Sequence, residues 1–243
     1  MNATIEAMLQ KIYAMQGTDG SINEELVNYY AGKLWAGVMQ GYGIDEAGIT
    51  YESPDANMLK ALKENVWQFA AAKNYEELRE MSDALLDEAG NLVSFEKFRE
   101  KAMLISDKHM KTWLRTEYDL AVAGGQMAGK WVDISKYAAT LPYLQFDAVM
   151  DNQTTQLCQS LNGTILPVGH PFWNRFYPPN HFNCRSTVRQ LASGVVTAED
   201  KIPSADIPPM FQTNLGQRGL IFPPGHAYFV GIPDSVLNQV QPK

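Results

Sequence analysis

The amino-acid sequence predicts an α+β fold: a helical N-terminal region, a small mixed domain with a short antiparallel sheet, and an irregular C-terminal tail. Proline usage gives the first indication, because Pro54 is the only proline before residue 140 and the other twelve begin at Pro142. Helix interiors tolerate proline poorly, so long helices are expected only in the first part. Hydrophobic spacing gives the second indication, since intervals of three and four residues change to alternation after Thr140.

Helix follows helix in the first part, where apolar residues recur at helical spacing. The predicted helices span residues 3–16, 22–40, 56–72, 75–89, 94–106 and 107–130. The last of them contains Gly124 and Gly125, although each glycine costs a helix roughly 1 kcal/mol relative to alanine. We expect the close approach of another backbone to explain this pair, with a kink at the same point as the alternative.

Alternating patterns in the second part predict three short strands, at residues 143–150, 163–168 and 185–191. A short helix is expected between the first two strands, begun by Asp151 or Asn152 and ended at Gly163. Frequent prolines then predict an extended tail, in which residues 219–222 and 227–231 are candidate short strands. The predicted domains are therefore a helical region at 1–106, a long helix with a small α+β unit at 107–192, and an extended segment at 193–243.

Composition argues against several classes of protein. The net charge of -7 disfavours a general nucleic-acid binder, because phosphate affinity depends on clustered lysine and arginine. The acidity belongs to residues 1–140, which hold 21 acidic and 14 basic side chains, whereas the remainder holds 6 of each. No segment stays apolar over the roughly 18 residues of a membrane span, and the N-terminus lacks the pattern of a secretion signal. A cytoplasmic location with reduced cysteines is therefore expected.

The segment YPPNHFNCRST, residues 177–187, carries the most distinctive group of polar side chains. His181 and Cys184 have the H-x-x-C spacing that can place two ligands on one ion. Cys158, the other cysteine of the chain, can supply a third ligand. These three side chains are the candidate site.

Three interpretations of this site remain open. In the first, which the sequence favours, the segment is a rigid corner, the thiols pack inward and no cofactor is bound. In the second, the site binds zinc, with Asp151 or His170 in the fourth position of a tetrahedron. In the third, a nucleophilic cysteine is paired with a histidine base.

Three arginines near this segment, Arg175, Arg185 and Arg189, are candidates for contact with DNA phosphates. Arginines more often pair with carboxylates, and Asp147 and Asp151 are the candidates here. We therefore expect ion pairs, and contact with DNA has weaker support.

Three segments occur in an order that resembles the Mu F-like family of phage minor head proteins, also called head morphogenesis proteins. They are RTEYDLAVAGGQMAGKW (115–131), FDAVMDNQTTQLCQSLNG (146–163) and PFWNRFYPPNHFNCRS (171–186). The positions that match the family pattern are Asp151, Thr154, Cys158, Gly163, Trp173, Pro178, Pro179, Cys184 and Arg185. Ser186 departs from the pattern, because the family often has a second cysteine there, and this weakens the zinc interpretation.

The resemblance implies a structural protein without established catalysis, present in few copies in the phage head and associated with the portal protein. It implies action in capsid assembly and in genome packaging or delivery, with the portal and other head proteins as partners and no membrane contact. Such a protein, encoded by a phage or prophage, would join the virion in the cytoplasm of the bacterial host. The rival hypothesis is a metal- or cysteine-dependent enzyme, similar to a toxin effector, that uses Cys158, His181 and Cys184.

Overall fold

The computed structural model of the chain describes residues 1–44, 49–50, 53–238, 240 and 242. It divides into two compact units, each built from separate stretches of the sequence. Unit 1 comprises Met1–Trp35, Lys63–Tyr118 and His226–Lys243, and unit 2 comprises Ala36–Leu62 and Asp119–Gly225. The predicted domain boundaries at 106 and 192 remain a prediction.

Helices dominate the first part of the chain, as the hydrophobic spacing predicts. They are α1 (Asn2–Met15), α2 (Glu24–Tyr42), α3 (Pro54–Asp83), α4 (Phe95–Asp107) and α5 (Leu114–Tyr137), with a π-helical turn at Lys108–Trp113. In the part of the chain that the structure describes, no helix combines the length and apolar composition needed to cross a bilayer.

The prediction of two helices at 56–72 and 75–89 is wrong, because α3 runs without a break from Pro54 to Asp83. Asparagine often ends a helix, as Asn74 could here, but no glycine or proline interrupts the helix at this point. Instead of capping a helix, the Asn74 side chain accepts a hydrogen bond from the Asn23 backbone at 2.7 Å. A tertiary contact therefore overrides the local signal.

The expected close approach at the glycine pair of α5 is confirmed within unit 2. A methyl group at Gly125 would overlap the backbone carbonyl of Val38 in α2, and one at Gly41 would overlap the carbonyl of Val122. A side chain at Gly124 would collide with Ile221. The helix continues through the pair to Tyr137, so it does not break there.

The sheet has three short antiparallel strands, β1 (Tyr143–Asp147), β2 (Ile165–Pro167) and β3 (Thr187–Leu191). The strand β1 is central, and the order is β2-β1-β3. The register pairs Leu144 with Leu166 and Phe146 with Val188, and all four side chains are buried. This arrangement confirms the predicted α+β class and the antiparallel sheet.

Between and after the strands the helices are short. They are α6 (Gln156–Leu161), α7 (Phe172–Phe176), α8 (Leu215–Arg218) and α9 (Asp234–Leu237), with 3-10 turns at Glu199–Lys201, Pro209–Phe211 and Ala227–Phe229. The candidate strands at 219–222 and 227–231 are wrong, since neither segment is in a sheet. Pro223 and Pro224 lie between them and cannot donate a ladder hydrogen bond.

Candidate functional site

The side chains of Cys158, His181 and Cys184 meet in unit 2. The Cys158 Sγ atom lies 3.3 Å from His181 Nε2 and 3.8 Å from Cys184 Sγ. All three candidate ligand atoms lie within 4.8 Å of one another. The structure thus brings together the three residues that the sequence singled out, across a gap of more than twenty residues.

Helix α6 positions the first thiol. Thr155 caps the N-terminus of this helix, where its hydroxyl accepts a hydrogen bond from the Cys158 backbone amide at 3.3 Å. Cys158 and Leu161 lie on the buried side of the helix, and Cys158 is 2% exposed. The cap therefore fixes the turn that points the Cys158 sulfur inward.

The connection from α7 to β3 positions the other two groups. It contains a cis peptide bond between Pro178 and Pro179, and Asn183 has a positive φ of 58°. The Cys184 amide donates a hydrogen bond to the His181 carbonyl at 3.2 Å and closes the turn between them. This is the packed corner that the prolines and asparagines predict.

The corner is anchored by buried polar groups. The Tyr177 hydroxyl donates a hydrogen bond to the Met127 carbonyl at 2.8 Å, and the Asn180 amide donates to the Phe176 carbonyl at 3.2 Å. Tyr177 and Asn180 are both fully buried. These anchors hold the segment that leads into the turn, and so help to position His181 and Cys184 next to Cys158.

Hydrogen bonding identifies the tautomer of His181. Its Nδ1 atom lies 2.7 Å from the backbone carbonyl oxygen of Phe182, and a carbonyl can only accept, so Nδ1 carries the hydrogen. In the neutral ring Nε2 then has a free lone pair. That atom faces the Cys158 sulfur and also lies 3.1 Å from the Thr155 hydroxyl.

The two thiols differ in acidity. A hydrogen bond from the Cys184 thiol, assisted by Ser186 and Thr155, lowers the pKa of Cys158 to about 6. The same hydrogen bond, together with burial, raises the pKa of Cys184 well above its ordinary value. Of the two interacting thiols, Cys158 is therefore the more acidic.

A small cavity of about 20 Å³ adjoins the cluster. Its wall includes Thr155, Cys158, His181, Asn183 and Ser186. A buried water needs roughly 10–15 Å³, so the cavity has room for one water molecule. It is far below the roughly 300 Å³ at which pockets for organic ligands begin.

Asp151, the predicted fourth ligand, does not join the cluster. Both of its carboxylate oxygens accept hydrogen bonds from the Arg185 guanidinium, at 2.8 and 2.6 Å. This pairing holds the pKa of Asp151 well below its usual range. His170, the other candidate, contacts Glu199 instead, with 3.3 Å between Nε2 and the carboxylate.

The remaining family-motif positions shape the backbone around the site. The Thr154 hydroxyl donates to the Val149 carbonyl and closes the turn before α6. Gly163 has a φ of 79°, a conformation that favours glycine, and its amide donates to the Phe146 carbonyl. Trp173 is fully buried, and its indole donates to the Pro167 carbonyl at 3.0 Å.

The predicted ion pairs of the arginines are confirmed. Arg185 pairs with Asp151, and Arg189 lies 3.6 Å from Asp147. Arg175 stacks over the Phe176 ring, with its guanidinium carbon 5.3 Å from the ring centre. Two of the three guanidinium groups are therefore already neutralised, and contact with DNA remains a prediction.

Unit 1 contains a second buried polar cluster that the sequence analysis missed. The Lys73 ammonium lies 2.8 Å from the Glu117 carboxylate, and the side chains are 0% and 5% exposed. The Tyr30 hydroxyl donates to Glu77 at 2.8 Å. Burial lowers the pKa of Lys73 and raises the pKa of both carboxyl groups.

His109, which lies in the π-helical turn, belongs to the same cluster. Its Nε2 atom lies 3.4 Å from the Glu80 carboxylate, while Nδ1 has no hydrogen-bond partner among the described residues. Burial, followed by the nearby Lys73 and Lys108 charges, lowers the pKa of His109 to about 3. A neutral ring that donates from Nε2 explains both observations.

The spacing along α3 could have indicated this cluster. Leu62, Val66, Phe69, Lys73 and Glu77 follow one another at three- and four-residue intervals, and all five are buried. Lys73 and Glu77 therefore continue the apolar stripe of the helix. A charged pair in such a stripe predicts a buried ion network when complementary charges lie on neighbouring helices.

All nine positions of the motif noted above lie in unit 2, in the connection between β1 and β2 that contains α6, in α7, and in the corner before β3. The sequence profile described as "Phage Mu protein F like protein" matches residues 36–189, more than half of the chain. The chain belongs to this family.

Two curated proteins are similar to parts of the chain. The chain is 34% identical over 80 residues to "Putative capsid assembly protein F" of Escherichia phage Mu, which covers 33% of this chain and 18% of the relative. It is 31% identical over 121 residues to "Mu-like prophage FluMu F protein" of Haemophilus influenzae, covering 49% and 26% respectively. The matched segments thus span about a quarter or less of these relatives. No solved structure matches the chain.

Proposed function

We propose that this chain is a minor head protein that acts in phage head morphogenesis, associates with the portal protein and takes part in genome packaging or delivery. The observation that carries the proposal is membership of the Mu F-like family over residues 36–189. The name of the phage Mu relative refers to capsid assembly. The chain would act in the virion after assembly in the host cytoplasm.

The charge distribution supports a role in protein association. Glu96 and Glu100 lie four residues apart on α4 and are both exposed, so their carboxylates are neighbours on one side of the helix. Complementary charge on a partner steers association and makes it sensitive to salt.

Co-expression with the portal protein of the same phage or prophage tests the association. We expect the chain to elute with portal rings in size-exclusion chromatography and to add density to them in electron micrographs. We expect Glu96→Gln/Glu100→Gln to weaken this association most at low salt. Lys97→Gln, which removes an exposed positive charge from the same helix, is the matched control and should not weaken it.

A phage that lacks this chain tests the role in the head. We expect fewer DNA-filled heads, with recovery when the wild-type chain is supplied from a plasmid. Normal numbers of filled, infectious heads without the chain would contradict the proposal. Elution of the chain apart from portal rings at every salt concentration would contradict the association with the portal.

A further inference from the structure

We propose that Cys158, His181 and Cys184 bind one zinc ion, with a water molecule as the fourth ligand. This site is inferred from the geometry of unit 2 and does not rest on the proposed role in the phage head. The residue types fit the metal, because thiolate and imidazole are the ligands that favour zinc over magnesium and calcium.

Two of the three distances between donor atoms are close to those of a tetrahedral zinc site, and the third, between Cys184 Sγ and the His181 ring nitrogen, is within 4.8 Å. Zinc binds sulfur at about 2.3 Å and imidazole nitrogen at about 2.0–2.1 Å, which places two sulfur ligands about 3.8 Å apart and sulfur and nitrogen about 3.6 Å apart. The Cys158 and Cys184 sulfurs are 3.8 Å apart, and Cys158 Sγ and His181 Nε2 are 3.3 Å apart. Small side-chain adjustments would admit the ion.

The imidazole is oriented as a metal ligand requires. A zinc-binding histidine commonly donates its other ring hydrogen to a carbonyl or carboxylate, which fixes the ring and raises its basicity. His181 makes this hydrogen bond from Nδ1 to the Phe182 carbonyl at 2.7 Å. Nε2, the nitrogen left with a lone pair, lies 3.3 Å from the Cys158 sulfur.

The cavity of about 20 Å³ is lined by two of the three proposed ligands, Cys158 and His181, and has room for one water molecule as the fourth ligand. Thr155 and Ser186, whose hydroxyl groups can hydrogen-bond such a water, also line it. Thr155 is exposed and His181 is partly exposed, so an ion can reach the cluster from solvent. Asp151 is not needed as a ligand, because its carboxylate is bound by Arg185.

The same geometry disfavours a cysteine nucleophile with a histidine base. Such a pair needs a cleft for its substrate, whereas this cavity accommodates a single water molecule. A catalytic pair also needs only one thiol. Here the two sulfurs are as close to each other as two sulfur ligands of one zinc ion. The zinc ion would instead join α6 to the corner that precedes β3.

The purified full chain, reduced and then freed of metal, is the material for the test. We expect elemental analysis of the protein purified before chelation to give one zinc per chain. Titration of the metal-free chain with Co²⁺ should produce a sulfur-to-cobalt charge-transfer band and ligand-field bands typical of tetrahedral coordination. Both signals should saturate at one ion per chain and should be lost when Zn²⁺ is added.

Variants identify the ligands. Replacing a residue that hydrogen-bonds to a metal ligand lowers metal affinity by about 10–100-fold. Replacing a ligand itself should have a larger effect, so Cys158→Ser, Cys184→Ser and His181→Gln should each lower zinc affinity by more than about 100-fold. His170→Gln changes a histidine outside the cluster and should keep the wild-type affinity. Circular dichroism of each variant shows whether it is folded.

The wild-type titration keeps the proposal falsifiable even when a cysteine variant does not fold. A folded wild-type chain with two free thiols that gives no charge-transfer band with Co²⁺ would overturn the site. So would a Cys184→Ser variant that is folded and binds Zn²⁺ as tightly as the wild type. Because these measurements need no phage protein, their failure is distinguishable from a failure to bind the portal.

Discussion

The two units bury polar groups in opposite ways. In unit 1, Lys73 brings a positive charge to the Glu117 carboxylate, and Tyr30 donates to Glu77, so the buried network contains its own cation. In unit 2, the three side chains of the candidate site offer sulfur and nitrogen lone pairs to one another, and the arginine on the adjoining cavity wall, Arg185, is paired with Asp151. The chain itself neutralises the first cluster, whereas we propose that a metal ion completes the second.

This difference separates a structural network from a candidate binding site. A buried charge is tolerated when an opposite charge and hydrogen bonds surround it, and such a network needs no ligand. A group of soft donors around a water-sized cavity has a place for a cation instead. Perturbed pKa values occur in both clusters, so they do not distinguish the two roles.

The largest effect is expected from breaking the unit 1 network. Replacing Lys73 with methionine leaves the Glu117 carboxylate buried without its counter-ion. Removing one partner of a buried ion pair costs about 3–5 kcal/mol, so Lys73→Met should lower the free energy of unfolding by this amount. Urea denaturation at neutral pH measures the change.

A double variant checks the cause. Lys73→Met/Glu117→Gln removes both charges of the pair, so it should recover much of the stability that the single variant loses. Equal losses in the single and double variants would show that packing of the lysine side chain, and not its charge, stabilises unit 1.

The next largest loss of stability is expected from a steric clash in unit 2. Gly125→Ala places a methyl group on the Val38 carbonyl, and overpacking of this kind costs about 1–3 kcal/mol. Gly32→Ala is the matched control, because Gly32 is an exposed glycine of α2 with open space around it. The control should gain up to about 1 kcal/mol of helix stability. Thermal unfolding of both variants tests the difference.

The pH dependence of unit 1 gives a smaller effect. The pKa of His109 falls from 6.5 to about 3 on folding, so the unfolded chain binds this proton more readily. Its contribution to stability is present above pH 6.5 and is lost as the pH falls toward 3. Between pH 6.5 and 4.5 the wild type should therefore lose about 2 kcal/mol more than His109→Gln.

Glutamine is chosen because it retains an N–H group that can donate to Glu80 at the position of Nε2. Lys73, Lys108, Glu80 and Tyr228 also surround the ring, and they are unchanged in the variant. Subtracting the two pH curves therefore isolates the histidine. Parallel curves for wild type and variant would mean that His109 titrates alike in the folded and unfolded chains.

The smallest effect is expected at the surface pair beside the candidate site. Asp151 and Arg185 are both well exposed, so Asp151→Asn should leave thermal stability close to that of the wild type. Its zinc content should also be unchanged, because the Asp151 carboxylate is bound by Arg185 and not directed at the sulfurs. A marked loss of zinc from this variant would make Asp151 a ligand after all.

The sequence predicts well those features that depend on local spacing. Helical periodicity identifies the helices of the first part, and the adjacent Gly124 and Gly125 correctly indicate a close backbone contact. The prolines and asparagines of residues 177–187 correctly indicate a corner with an inward thiol at Cys184. In each case the signal lies within a few neighbouring residues, which is the range over which backbone preferences act.

Contacts between distant residues are predicted less well. Nothing local shows whether Asp151 or a water completes the site, because the answer depends on Arg185, 34 residues away. The partner of Lys73, Glu117, is likewise 44 residues away. The apolar stripe of α3 continues through Lys73 and Glu77, which indicates that both side chains are buried. Only the packing of other helices shows that these buried charges are paired.

Zinc-edge X-ray absorption of the purified full chain tests the central claim most directly. Two sulfur atoms at about 2.3 Å and two nitrogen or oxygen atoms at about 2.0–2.1 Å are the predicted first coordination shell. A spectrum without sulfur in this shell, or a chain that carries no zinc while both thiols are free, would contradict the account.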